Sequence, residues 1–316
     1  MNKVAVIILN WNGEKLLREY LPSVIETTDT SIADIIVADN GSTDSSIELL
    51  RDKFPQVTLL KFSENYGFAE GYNRAIKETN YPYTILLNSD VATTPGWVNH
   101  LYEYMETHPE VGACQPKIRA YTNMSHFEYA GAAGGFIDRN GYPYCRGRIF
   151  DSVEEDYGQY DSVMPIFWAT GAALMVRSEL YLKVGGLDKD FFAHMEEIDL
   201  CWRILLEGYD IVAVPQSMVF HLGGGSLPAS NPRKTYLNFR NNLLIIHLDE
   251  KLLVFSRKTP GFDFVTVVNN SDSEITLLFE KKTKELIQNK TSDKHILCAN
   301  SAGIYKVSKN SEMEIG

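Results

Sequence analysis

A chain of 316 residues with 44% hydrophobic and 22% charged side chains can bury a sizeable core, as one large domain or one domain plus an appendage. Neither value points to disorder or to a membrane-embedded chain. The formal net charge of -11 argues against a general nucleic-acid binder, which needs a basic surface to displace counterions, but leaves room for a nucleotide held with a divalent cation.

Residues 4–9 form a first apolar run, too short for a signal core and ended by Asn10-Trp11-Asn12-Gly13. The run predicts strand one, and residues 14–26 predict a helix from the spacing of Leu16, Leu17, Tyr20, Leu21, Val24 and Ile25. Residues 34–38 read as a second strand, 45–53 as a helix capped by Thr43 or Asp44, and 57–62 as a third strand. A helix over 67–78 and a strand over 83–87 complete a rhythm that announces a parallel sheet with crossover helices. Ligands collect at the carboxyl ends of strands in such a sheet, so the polar loops that follow the strands are expected to converge on one cleft.

Beyond Asp90 the pattern predicts a helix over 95–108, a strand over 112–118, irregular connections with short strands over 121–165 and a buried strand over 167–176. A helix over 197–207 and apolar runs at 212–214 and 218–221 return the chain toward the cleft. The character then changes, with short strand-like runs at 252–256, 264–269, 274–279, 284–286 and 304–307. Residues 1–248 therefore read as an α/β domain and 249–316 as a small all-β module. No run approaches the ~18 apolar residues of a spanning helix, so membrane contact is expected to be peripheral at most. Cys114, Cys145, Cys201 and Cys298 form no CxxC pair, which favours buried or free thiols in a reducing compartment over a zinc knuckle or a disulfide framework.

Several residues carry chemistry alongside an ordinary structural use. Asn88-Ser89-Asp90 is a common strand-ending turn, yet it also places an oxygen ligand at the cleft. Asp39 suits a ribose diol or a base N–H because its carboxylate accepts from both. Gly67 and Gly71, within Asn65–Asn73, permit close backbone approach, as many helix starts do. Glu196, Glu197 and Asp199 open a helix, where acids complement the dipole; that accounts for Asp199 but poorly for the whole cluster. Trp168 offers an aromatic face to a sugar, His221 a ligand before a glycine run, and Arg233, Lys234 and Arg240 either phosphate contacts or a solvated basic face.

In order along the chain, residues 4–10, 38–45, 65–73, 88–90 and the Glu-Glu-Ile-Asp-Leu-Cys-Trp-Arg stretch starting at Glu196 resemble the family 2 glycosyltransferases, from Val4 to about His247. The resemblance implies a GT-A type fold, a Rossmann-like nucleotide-diphospho-sugar transferase sheet with flanking helices. It implies inverting transfer of a hexosyl or rhamnosyl unit from a UDP-, dTDP- or GDP-sugar to an acceptor hydroxyl. Asn88-Ser89-Asp90 takes the place of the family's DxD motif, with Asn88 for the first Asp, leaving Asp90, helped by His221, to hold Mn2+ or Mg2+.

Donor contacts implied by the same resemblance are Asn10, Asp39, Asn40, Asn65, Gly71, Asn73, Asn88, Ser89 and Arg240, with Tyr236 on the phosphate side. Glu197 stands where the family has an Asp as catalytic base, with Glu196 the second candidate, and Trp168, Thr170 and Gly171 fall on the acceptor side. The implied setting is surface polysaccharide or glycolipid assembly in the cytoplasm, at most in peripheral contact with the inner face of the plasma membrane. The implied partners are a glycan or lipid-linked acceptor and no nucleic acid. The tail weakly resembles the C-terminal β-domain of amylase-type enzymes, as a stabilising or glycan-contacting module. Two rivals stand beside this reading. A nucleotidyltransferase calls for a Gly-rich, basic phosphate loop after strand one, and a non-catalytic glycan-binding protein has no use for acids at 90, 196 and 197.

Overall fold

The computed structural model describes residues 2–138, 142–149, 152–191, 193–223 and Asn241 in full, together with the backbone of six strands between 252 and 315. Two compact units form, Met1–Asn242 and Leu243–Gly316. The first begins with β1 (Val4–Asn10), α1 (Glu14–Thr27), β2 (Ala33–Asp39), α2 (Ser46–Lys53), β3 (Thr58–Lys61), α3 (Gly67–Glu78) and β4 (Tyr83–Leu87). β1 pairs in parallel with β2 and β4, and β2 with β3. Apolar residues on both faces let the sheet take helices on both sides. Val4, Val6 and Ile8 share a buried cluster with Leu17, Leu21 and Val24 of α1. Leu9 points the other way, onto Gly71 of α3, where an added Cβ would meet its Cδ atoms at 2.8 and 2.9 Å.

The second half adds β5 (Val91–Thr93), α4 (Trp97–Thr107), β6 (Val111–Ala120) and β7 (Asn123–Phe127). Two short hairpins follow, β8 (Gly135–Ile137) with β9 (Pro143–Cys145) and β10 (Arg148–Ile149) with β11 (Ser152–Val153). β12 (Met164–Pro165), β13 (Ala173–Arg177), α5 (Ser178–Lys183), a 3-10 turn (Lys189–Phe191), α6 (Glu196–Leu206) and β14 (Asp210–His221) close the unit. The sheet runs β12-β14-β6-β13-β4-β1-β2-β3, with β5 on β14 and β7 on β6. β13 is antiparallel to β4, with Ala173 opposite Leu87, so the chain enters β13 at the carboxyl end of β4.

Two expected elements change. The run 167–176 is a strand only from Ala173, because the backbone before it bonds elsewhere: Ala169 N–H to Cys201 Sγ at 3.4 Å and Thr170 N–H to Gln115 Oε1 at 3.0 Å. The runs 212–214 and 218–221 are one strand, β14, whose register against β6 shifts between Val214 and Met218. Pro215, which has no N–H to give the ladder, lies in that gap.

The second unit is a six-stranded antiparallel sheet of β15 (Leu252–Lys258), β16 (Phe262–Asn269), β17 (Ile275–Glu285), β18 (Lys290–Leu297), β19 (Ser301–Ser308) and β20 (Met313–Ile315). Its order is β15-β16-β19-β17-β18, with β20 on β17. The runs 274–279 and 284–286 merge into β17, while β18 and β20 were not anticipated. Among the described residues no helix is long and apolar enough to cross a membrane, and Cys114, Cys145 and Cys201 are free and buried.

Candidate active site

The carboxyl ends of β1 and β2 are tied to one another by side chains. Asp39, fully buried, accepts Asn10 Nδ2–H at 3.0 Å on Oδ2 and Ser42 N–H at 3.0 Å on Oδ1. Asn10 also gives Nδ2–H to Ser42 Oγ at 3.1 Å and keeps a buried Oδ1 without a partner among the described residues. Asp44 accepts the first N–H of two helices, Glu14 of α1 at 3.0 Å and Ser46 of α2 at 3.1 Å. Its capping is thus broader than the sequence suggested, while Thr43 N–H goes to Asn12 Oδ1 at 2.7 Å.

At the end of β4, Asn88-Ser89-Asp90 turns into β5, and β5 pairs with the last residues of β14, His221 opposite Val91. That register brings His221 Nε2 to 3.1 Å from Asp90 Oδ1, both side chains buried. On the far side of the ring, Glu128 Oε1 stands 3.6 Å from Nδ1, an ion-pair separation rather than a hydrogen bond. Glu128 is itself fixed by Ala130 N–H at 2.6 Å on Oε2. Burial alone would lower the His221 pKa, but the hydrogen bond to Asp90 and the charges of Asp90 and Glu128 push it up to about 9. Glu128 gives no sequence signal, because a lone acid in a Gly- and Tyr-rich stretch reads as a solvated loop. Gly223 leaves it room, since a Cβ there, at φ 70°, would come 2.9 Å from Glu128 Oε1.

The second group of acids lies at the start of α6. Glu196 is 4% exposed and Glu197 is partly exposed, and each has a buried Oε2 with no hydrogen-bond partner among the described residues. Burial drives both carboxyls up, Glu196 well above its ordinary range with help from the Glu197 charge. Backbone N–H groups, including those of Gly171 and Met195, hold Glu197 back. The two acids are therefore unlike: burial and the neighbouring charge push Glu196 further toward its protonated form, and Glu197 is the readier to ionise. Asp199 instead pairs with Arg203 at 2.5 Å. Thr170-Gly171-Ala172 joins the two groups of acids, because Asn88 N–H bonds Ala172 O at 3.0 Å while Gly171 N–H meets Glu197.

Several expected donor contacts have other uses. Asn40 gives both amide hydrogens to Asn65 Oδ1 and Gly67 O, each at 3.0 Å, and accepts Tyr66 N–H. Asn65 Oδ1 also takes Gly67 N–H at 2.9 Å, so the Asn40–Asn65 pair shapes the start of α3. Gly71 serves the close approach of α3 to Leu9. Asn73 bonds Leu187 O at 2.7 Å, Leu187 N–H at 2.9 Å and Tyr181 O–H at 2.6 Å, clipping α3 to the turn before α6. Its amide oxygen and one amide hydrogen are thus engaged within the protein. Trp168 is 6% exposed, with Nε1–H on Phe136 O at 2.9 Å and its ring against Gly135, so it carries β8 and presents no open face to a sugar. Thr170 is buried under Gly131. Ser89 is half-buried in the turn. Arg233, Lys234, Tyr236 and Arg240 lie outside the described residues.

Residues 5–160 match glycosyl transferase family 2. The match covers just under half of the chain. It is 27% identical over 238 residues, 68% of its length and 75% of the relative's, to the N-acetylglucosaminyl-diphospho-decaprenol L-rhamnosyltransferase of Mycobacterium tuberculosis. It is 23% identical over 297 residues, 89% of its length and 87% of the relative's, to the low-salt glycan biosynthesis hexosyltransferase Agl10 of Haloferax volcanii. Among solved structures, GalNAc-T7 with UDP, GalNAc and Mn2+ superposes with a TM-score of 0.61 at 17% identity, over 79% of this chain and 49% of the other. This glycosyltransferase thus spans about half of that neighbour and most of its two sequence relatives, and the likeness to the neighbour establishes the GT-A fold.

Proposed function

We propose that the protein moves a sugar, with inversion, from a nucleoside diphosphate sugar to a hydroxyl of a glycan or lipid-linked acceptor. The observation that carries this is the short bridge Thr170-Gly171-Ala172, which sets the Asn88–Asp90 turn on one side and Glu197 on the other. Single displacement needs that division: a group that steadies the leaving diphosphate, and a base on the opposite face of the sugar. Glu197 is our base, since it is the more exposed of the two acids and the one whose carboxylate is stabilised by backbone N–H groups. It takes the acceptor proton as the acceptor oxygen bonds to the anomeric carbon and the bond from that carbon to the diphosphate breaks. Glu196, buried beside it and with its carboxyl pushed well up, is the less disposed of the two to carry a negative charge.

A divalent cation, when bound, supplies positive charge to the departing diphosphate. The residues present fit such an ion. Asp90 Oδ1 and His221 Nε2 are 3.1 Å apart, close to the ~3 Å that separates adjacent donors of an octahedral ion with ~2.1 Å bonds. Among the described residues no three His, Cys, Asp or Glu side chains make a closed cage, so the donor's phosphates and water complete the shell. The mixed oxygen and nitrogen pair favours Mn2+ over Mg2+. Asn10 and Asp39, at the ends of β1 and β2, hold the Ser42 loop against which we place the nucleoside. Residues 1–248 form the catalytic domain and 249–316 an appended β-module; the protein acts in the cytoplasm, on lipid-linked or glycan precursors of the kind that the names of the two relatives print.

The test is a panel of UDP-, dTDP- and GDP-sugars with Mn2+ or Mg2+, read by nucleotide release and by donor-dependent thermal shift. One nucleotide series should both stabilise the protein and be turned over. Absence of binding and release across the whole panel would remove the donor reading.

A further inference from the structure

Asn241 lies far along the chain from the acids, yet it is fully buried against the turn that leads into them. Its Nδ2 is 3.0 Å from Phe191 O, 2.8 Å from Ala193 O and 2.6 Å from His194 O. An amide nitrogen has two hydrogens, so three carbonyls at these distances share them. Carbonyl oxygens repel one another, and a turn that gathers three of them around one point needs a donor at that point to hold its shape.

The turn has a further peculiarity. His194 and Met195 both have φ of 72° without being glycine, a conformation that side chains with a Cβ adopt only when their surroundings impose it. Met195 then caps α6, its carbonyl accepting Ile198 and Asp199 N–H at 3.1 Å each, and its own N–H meets the Glu197 carboxylate. The same turn therefore sets the direction of α6, the start of Glu196 and one hydrogen bond to Glu197.

We propose that Asn241 is a positioning residue for the Glu196–Glu197 pair: its side-chain amide ties the carbonyls of Phe191, Ala193 and His194 together, imposes the left-handed turn and thereby aims Glu197 at the acceptor. The proposal rests on the reading of Glu197 as the base. It assigns a catalytic consequence to a residue away from the reacting atoms, through the turn that its amide donor holds together.

Asn241→Asp tests it, since the side chain keeps its outline and loses both donors. With the nucleoside diphosphate series that the donor panel selects, plus Mn2+, the variant should bind UDP, dTDP or GDP within about twofold of wild type. Its kcat should fall by about tenfold or more with KM for the donor little changed. Loss of the Met195 N–H contact removes a bond to the ionised form of Glu197, so the acid limb of the kcat profile should move to higher pH. A wild-type kcat and acid limb, accompanied only by a lower Tm, would make Asn241 merely structural and overturn the proposal. Should Asn241→Asp not accumulate as folded protein, Asn241→Ser, which keeps one shorter donor, is read by the same three measurements, and a partial loss of kcat at unchanged nucleotide binding supports the role. Glu197→Gln in the same assay separates the two readings. If it loses turnover while Asn241→Asp does not, positioning alone fails; if it keeps full turnover, the base assignment falls and the proposal with it.

Discussion

The charge on His221 is decided by its two carboxylate neighbours. Asp90 on one side and Glu128 on the other hold the proton to about 9, against the pull of burial. A metal ion and that proton compete for Nε2, so binding releases one proton per ion. Mn2+ affinity should rise about tenfold per pH unit up to about 9 and then level off. Titration calorimetry at several pH values measures it, and a flat profile across that window would take His221 out of the ligand set. Glu128→Gln removes one carboxylate charge and should move the break to lower pH. Glu197 belongs to the same scale. Glu197→Gln keeps shape and hydrogen-bonding atoms but cannot take a proton; nucleotide binding should survive while kcat falls by about two to four orders of magnitude. Unchanged turnover would send the search for the base to Glu196.

Helix α6 shows how an element carries a functional cost. Acids at a helix N-terminus are ordinarily stabilising, yet Glu196 lies buried with an unpartnered oxygen beside a second carboxylate. Its pKa is raised in the folded protein, so the native state holds a proton that the unfolded chain gives up near 4.5. Stability therefore falls as pH rises from 4.5 through the folded value, and the loss persists above it. Glu196→Gln should raise Tm at pH 8 and change it little near pH 4.5, by differential scanning calorimetry; a lower Tm at pH 8 would show that the carboxyl has a stabilising partner. Strand β14 works in a different way. A continuous strand from Asp210 to His221, despite the shift around Pro215, carries His221 to β5 and so to Asp90.

For the whole molecule, every described site residue lies within Met1–Asn242, and the second unit has its own antiparallel sheet. A chain ending at residue 248 should bind the nucleoside diphosphate and Mn2+ within about twofold of the full chain; a larger loss would give the β-module a share in the site. The first four strands and three helices were legible from periodicity, because residues 4–87 alternate apolar runs and amphipathic segments, each long enough to declare its own period. The sequence by itself also determined which residues had the right chemistry: Asp39, Asp90, the Glu196–Glu197 pair and His221 all stood out by residue type and by following apolar strands or opening a helix. It did not distinguish a polar residue that faces a ligand from one that closes a loop, and so Asn40, Asn65 and Asn73 were assigned to the donor although their amides are engaged within the protein. Only the tertiary structure decided that Glu128 sits behind His221, that Asn241 holds the turn before α6, and that Trp168 lies under a hairpin. The physical reason is the same in each case: hydrogen bonds and burial join residues far apart in the chain, whereas local periodicity records only neighbours a turn or a pleat away.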